Sequence, residues 1–115
     1  MPAYNFKKQF APDVESGVKR QTVRPKRKRP TKPGEPLSLY TGMRTKYCRL
    51  LKNAICKSVD DIEIGSTYVK LNGKKITIQK INELAKADGF RYKHQFFNFF
   101  ETQYGLPFNG DLIKW

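Results

Sequence analysis

The chain has few acidic residues, little histidine and little cysteine, and each shortage excludes a class of protein. Its 115 residues include 10 aspartate and glutamate residues, one histidine and two cysteines. Cys48 and Cys56 are too few for a disulfide framework, and with a single histidine they fit no zinc-binding pattern. No apolar run approaches the roughly 20 residues that span a bilayer. We therefore expect a cytoplasmic protein with reduced thiols, no metal, no other cofactor and no membrane partner.

The scarcity of acids leaves a large excess of positive charge. Lysine and arginine number 23, so the formal net charge is +13. Residues 1–34 hold ten basic and two acidic side chains, whereas residues 61–115 hold eight and six. A polyanion screens such a charge, and nucleic acid is the polyanion that basic proteins most often bind. The composition therefore predicts a nucleic-acid-binding protein with RNA as the expected partner, and it leaves the oligomeric state open.

The charge is densest in residues 25–34, where five basic side chains lie among three prolines. Proline fixes φ and removes a backbone donor, which excludes a helix or a central strand here. We expect a mobile loop whose cations contact phosphates, giving affinity and salt dependence with little sequence specificity. A loop that only increases solubility is the alternative. The candidate nucleic-acid contacts in this loop and elsewhere are Arg20, Arg24, Lys26, Arg27, Lys28, Arg29, Arg44 and Lys46.

Two strong local signals lie in the second half of the chain. Asn72-Gly73, between two short strand-like runs, predicts a hairpin turn. Thr77 can cap a helix over 78–88, which Gly89 would end, and a second helix is predicted over 92–104. Within the first of these helices, Asp88 continues the apolar face. A carboxylate at the C-terminal end of a helix needs a cation or a donor nearby, so Asp88 is a candidate pocket residue.

The remaining segments are predicted to be mostly strands. They cover residues 3–6, 19–24, 36–40, 47–64 with a break near Lys52-Asn53, and 110–115, with a short helical segment at 10–17. Such a small mixed chain predicts a single α+β domain over residues 1–115. The expected architecture is a small, partly closed mixed β-barrel with helices covering its openings.

Taken in order, these segments resemble an ASCH domain of the PUA-like β-barrel superfamily. The resemblance runs through nearly the whole chain and is carried by residues 17–24 (GVKRQTVR), 32–40 (KPGEPLSLY) and 84–90 (LAKADGF). The small single-domain form is similar to ASCH proteins carried by phages and prophages. Known ASCH proteins are RNA-binding modules and a few enzymes, among them an amidohydrolase that removes the acyl group from acetylcytidine.

The resemblance implies a catalytic set of Lys19, Thr22 and Asp88. Thr22 matches the nucleophile of the amidohydrolase, Lys19 its activator, and Asp88 stands where that group has an orienting glutamate. Arg20 departs from the motif, which has threonine at that place. Strict strand alternation puts Lys19 and Thr22 on opposite faces, so a bulge or bend is expected to bring them together. RNA binding is the first function implied, with hydrolysis of a modified nucleoside, RNA cleavage or binding of another protein as alternatives.

Overall fold

The computed structural model describes residues 2–115, which form an α+β fold. In chain order the elements are β1 (Ala3–Phe6), α1 (Ala11–Ser16), β2 (Gln21–Pro25), β3 (Pro36–Thr41), β4 (Arg49–Ile55), β5 (Ser58–Ile64), β6 (Val69–Leu71), β7 (Lys74–Lys75), α2 (Ile78–Ala87), α3 (Lys93–Tyr104) and β8 (Phe108–Lys114). None of the helices in this described part of the chain is long and apolar enough to cross a membrane.

The strands form two sheets. The first has the order β1-β3-β4, with β1 parallel to β3 and β3 antiparallel to β4. The second has the order β2-β8-β5-β6-β7 and is antiparallel throughout. The sheets are not closed into a barrel. Where β1 faces β2, the guanidinium groups of Arg24 and Arg27 donate to the main-chain oxygens of Asn5 and Ala3, both at 2.6 Å.

The predicted hairpin and both predicted helices are present. Asn72 and Gly73 adopt φ values of 52° and 84°, as the turn between β6 and β7 requires. Thr77 caps α2, since its side-chain oxygen accepts a hydrogen bond from the Lys80 amide at 3.2 Å. Gly105 ends α3 with a φ of 78°. Local sequence signals therefore determine this half of the fold.

The predicted break at Lys52-Asn53 is wrong, because β4 runs through both residues. The chain leaves the first sheet at Cys56, whose amide donates to the Glu35 carbonyl at 2.8 Å. The next amide, that of Lys57, donates to the Lys114 carbonyl of the second sheet at 2.8 Å. The chain passes from one sheet to the other without a tight turn, so no turn-forming residue marks the break between β4 and β5.

Aromatic side chains fill much of the core between the sheets and the helices. Phe96 and Phe100 of α3 are fully buried, as the helical spacing predicts, and Phe90 lies edge-on to Phe96 with ring centroids 5.8 Å apart. On the opposite side Trp115 meets Phe6 edge-on at 5.9 Å. Phe90, just after α2, also packs edge-on against Phe10 at 5.4 Å, and both rings line the candidate site.

Candidate functional site

Four residues singled out in the sequence line one cavity of about 160 Å³. Thr22 and Arg24 come from β2, Lys19 from the segment before it, and Asp88 from the C-terminal end of α2. The other walls are largely aromatic: Phe6, Phe10, Phe90, Phe99, Phe100 and Tyr104. These four residues bring an acid, two cations and a hydroxyl to a cavity with flat apolar surfaces, and Lys7 adds a third cation to its lining.

Lys19 reaches this cavity because the chain bends before β2 begins. Strand β2 begins only at Gln21, so strict alternation does not extend back to Lys19. Gly17 ends α1 in the left-handed conformation with a φ of 86°, and the Lys19 amide then donates to the Asp13 carbonyl at 2.9 Å. This turn redirects the chain before the strand starts. The Lys19 side chain can thus share a cavity with Thr22, and of the expected bulge or bend it is a bend, before the strand, that brings them together.

Lys19 and Asp88 form a buried ion pair at the end of α2. The Lys19 Nζ donates to the Asp88 carboxylate at 3.0 Å and to the Asp88 main-chain oxygen at 2.6 Å. Both side chains are almost inaccessible, at 4% and 6% exposure. The ammonium group therefore supplies the cation that a carboxylate at a helix C-terminus needs.

Burial moves the two pKa values of this pair toward each other. Desolvation lowers the pKa of Lys19 despite the opposing attraction of Asp88. Desolvation likewise raises the pKa of Asp88, against the charge of Lys19 and a hydrogen bond from Gln21. Each group is therefore closer to its neutral form than the same group in water. A larger fraction of such a lysine is the neutral amine, which is the form that can act as a base.

Thr22 is held by Arg24. The Arg24 Nε donates to the Thr22 Oγ1 at 2.9 Å, and its guanidinium lies 4.9 Å from the Phe6 ring centroid. Desolvation by burial lowers the pKa of Arg24 from its ordinary, very high value. A fixed cation beside a hydroxyl oxygen stabilises negative charge that develops on that oxygen. Thr22 thus takes its hydrogen bond from Arg24, whereas Lys19 is engaged with Asp88.

Gly89 lets the end of α2 approach Lys19, a role that sequence reasoning missed. Its φ is +99°, and a Cβ atom there would lie 2.8 Å from Phe10 Cδ1 and 3.5 Å from Lys19 Cδ. The sequence identified Gly89 only as a helix terminator. The close approach follows from tertiary packing against Phe10, which no local signal reveals.

Two of the predicted loop cations are engaged within the protein. The Lys26 ammonium is bonded to the carboxylates of Asp61 and Asp111, the latter at 2.8 Å. Arg27 lies over the Tyr4 ring, 4.0 Å from its centroid. These contacts leave less charge and fewer N–H donors on either side chain for a phosphate.

The other predicted nucleic-acid contacts are exposed and lie in several places. Lys28 and Arg29 are exposed within residues 26–35, which form no helix or strand. Arg44 and Lys46 are exposed in the loop between β3 and β4. Arg20 lines a separate depression with Lys57 and Lys114, so it does not belong to the Lys19 cavity.

No described group of histidine, cysteine, aspartate and glutamate side chains in residues 2–115 could hold a metal ion. Cys48 is exposed and Cys56 is buried, both as free thiols. The single histidine, His94, stacks on Tyr92 with ring centroids 5.5 Å apart, outside the cavity.

Nothing matches this chain in comparisons with family models, with curated proteins or with solved structures. The similarity to ASCH domains is therefore a resemblance of short sequence segments.

Proposed function

We propose that this protein is an amidohydrolase that removes the acyl group from the amino nitrogen of a cytosine-like base. The observation that carries the proposal is the presence of Lys19, Thr22, Arg24 and Asp88 in one aromatic-walled cavity. In this proposal the fold is of the PUA-like ASCH type. We infer a barrel of that type that is open between β1 and β2; the bonds from Arg24 of β2 and from Arg27 just after it to main-chain oxygens of β1 support this.

The size of the cavity supports a substrate with one planar ring. An engineered cavity of about 150 Å³ in another protein binds benzene, and this one measures about 160 Å³. Drug-sized ligands occupy pockets of roughly 300–1,000 Å³. Flat aromatic walls suit a base, and the acid, hydroxyl and cations suit its polar edge. A single pyrimidine with a small acyl substituent is the substrate class that fits best.

Three of these polar residues take part in the chemical steps, and Asp88 orients Lys19 through their hydrogen bond. Thr22 Oγ1 attacks the amide carbon while Lys19, in its neutral form, takes the hydroxyl proton. Arg24 stabilises the developing oxyanion. Lys19 then gives the proton to the departing amine, which releases the base and leaves an ester on Thr22. Water hydrolyses that ester and releases the carboxylic acid, so that Thr22 regains its proton.

A purely structural role for the ion pair is the competing interpretation. Lys19 binds the last carbonyl of α2 and neutralises Asp88, and both contacts stabilise the helix end. That role does not account for Thr22, whose hydroxyl oxygen is aligned by the half-buried Arg24 in the same cavity. Thr22 is therefore the residue whose replacement separates the two interpretations.

The test is turnover of acetylcytidine by purified protein, followed by chromatographic separation of cytidine. We expect Thr22→Ala to reduce turnover by at least about 10³-fold, the usual cost of removing a nucleophile. Thr67→Ala is the matched control, because Thr67 is an exposed threonine in the β5–β6 connection. Thermal unfolding of both variants checks that each is folded. Full activity in folded Thr22→Ala would exclude this mechanism.

RNA binding without chemistry is the second candidate, and exposed cations favour it. Lys28, Arg29, Arg44 and Lys46 are solvent-accessible on a chain of net charge +13. Such groups bind phosphates and give affinities that fall steeply with salt. If the protein binds single-stranded RNA but fails to release cytidine from acetylcytidine, this second function replaces the first.

A further inference from the structure

A second, larger groove adjoins the Lys19 cavity and has no role in the proposed reaction. Its volume is about 760 Å³, and it shares Asn5, Phe6 and Lys7 with the cavity. The two spaces therefore lie on either side of the same stretch of β1 and its following residue. The rest of the groove is formed by the start of α1 and by the β3–β4 loop.

The β3–β4 loop is held in a defined shape by hydrogen bonds within the loop and to β1. Thr45 Oγ1 donates to the Gly42 carbonyl at 2.7 Å and accepts from the Tyr47 amide at 3.1 Å. Gly42 has a φ of 67°, and a Cβ atom there would lie 2.8 Å from the Tyr47 carbonyl oxygen. The Met43 amide also donates to Asn5 Oδ1 at 2.9 Å, which ties the loop to the cavity wall.

This rigid loop presents a large aromatic side chain to solvent. Tyr47 is 74% exposed and lines the groove. The Lys46 ammonium lies 5.3 Å from its ring centroid. An exposed ring on a preorganised loop, with cations beside it, is the arrangement that proteins use to stack single-stranded bases.

The charge of the groove favours an anionic ligand. Lys7 and Lys8 line it and are exposed. Arg49 also lines it, although its guanidinium is paired with Glu15 at 2.6 Å. Lys7 thus lines both spaces and Lys8 lines the groove alone, where a backbone phosphate joining a nucleotide in the cavity to one in the groove would pass.

We propose that this groove binds the nucleotide next to the base held in the Lys19 cavity. Its base stacks on Tyr47 and the connecting phosphate lies near Lys7 and Lys8. The substrate is therefore an RNA strand in preference to a free nucleoside. This inference rests on the proposed function insofar as the cavity must receive a base.

The test compares a cytidine mononucleotide with a cytidine-containing RNA dinucleotide as competitors against a fluorescent RNA oligonucleotide, at one fixed salt concentration. The unmodified base is used so that binding is read without turnover. We expect the dinucleotide to bind about 5- to 150-fold more tightly, the effect of one stacked base. Tyr47→Ala should abolish this gain, and Tyr47→Phe should retain it. Tyr92→Ala, which removes an exposed tyrosine outside both spaces, should leave it unchanged.

The outcomes separate the two proposals. Equal binding of mononucleotide and dinucleotide overturns the inference about the groove and leaves the base-binding cavity standing. A dinucleotide gain that survives in Tyr47→Ala also overturns it, because the second base would then bind elsewhere. Failure of both competitors to bind overturns the base-binding cavity itself and the groove with it.

Discussion

The Nζ atom of Lys19 hydrogen-bonds both the carboxylate and the main-chain oxygen of Asp88, so that one buried cation serves two acceptors at the end of α2. The two residues lie far apart in the sequence, on either side of most of the sheet strands. Stability and the proposed chemistry are therefore linked through this pair.

Removing either member of the pair should destabilise the fold. We expect Lys19→Met to lower the free energy of unfolding by about 3–5 kcal/mol, because it leaves Asp88 buried without its partner cation. The double variant Lys19→Met, Asp88→Leu should lose less unfolding free energy than the two single variants together, because neither charge is then buried without its partner. Urea unfolding of the four proteins measures this coupling. Strictly additive losses would contradict it.

Gly89→Ala should destabilise the protein and disturb the cavity. A residue with a side chain loses about 1–3 kcal/mol of stability when it is held at the φ of +99° that Gly89 adopts. The new Cβ atom would also lie 2.8 Å from the Phe10 ring. Gly73→Ala is the matched control, since Gly73 has a φ of +84° and open space around it. We expect a larger loss of unfolding free energy at Gly89 than at Gly73. Equal losses would show that backbone strain alone matters.

The pH dependence of stability should reveal the lowered pKa of Lys19. Between that lowered value and the ordinary value of about 10.4, the unfolded chain binds more protons than the folded one. Stability contributed by this site therefore rises with pH through that window. Wild type and Lys19→Met are compared by urea unfolding from pH 7 to about 10.4. Over this range the unfolding free energy of wild type should rise relative to that of Lys19→Met. A relative fall in the wild-type value would contradict the lowered pKa.

The salt dependence of RNA binding should distinguish the exposed loop cations from the engaged one. Replacing Lys28 and Arg29 by alanine should flatten the plot of log affinity against log salt by about 1.4, at roughly 0.7 per contact for a single strand. Lys26→Ala should change that slope little, because Lys26 is bonded to Asp61 and Asp111.

A matched control for the loop variant is the replacement of Lys74 and Lys75, two exposed cations of the β6–β7 hairpin. It removes the same formal charge from a different part of the surface. Equal slopes in the two double variants would mean that the affinity for RNA depends on the net charge of the protein and not on the loop cations.

Local signals predicted the elements of the second half well, and they failed where the chain changes sheets. Asn72-Gly73 and Thr77 act on their own neighbours, so sequence alone locates the hairpin and the start of α2. The passage from β4 to β5 at Cys56 depends on bonds to Glu35 and, one residue later, Lys114. These partners are remote in the sequence, so no local pattern marks the change.

The candidate site was predictable where a local sequence pattern places a residue, and not where tertiary contacts place it. Helical spacing correctly placed Asp88 on the buried face of α2. The sheltered position of Lys19 depends on the turn after α1, which removes it from the strand periodicity. The resemblance to a known family supplied the grouping of Lys19, Thr22 and Asp88, which no single element encodes.

The position of β2 at the edge of its sheet has a consequence for how the site forms. Thr22 is paired with Ile113 of β8, and Arg24 with Asp111, residues far along the chain from both. Contacts between residues so distant in sequence close large loops and form slowly. We therefore expect β2, which carries Thr22, to pair with β8 late in folding, after the hairpin and the helices, whose contacts join sequence neighbours. A nascent chain would complete its helices before it completed its cavity.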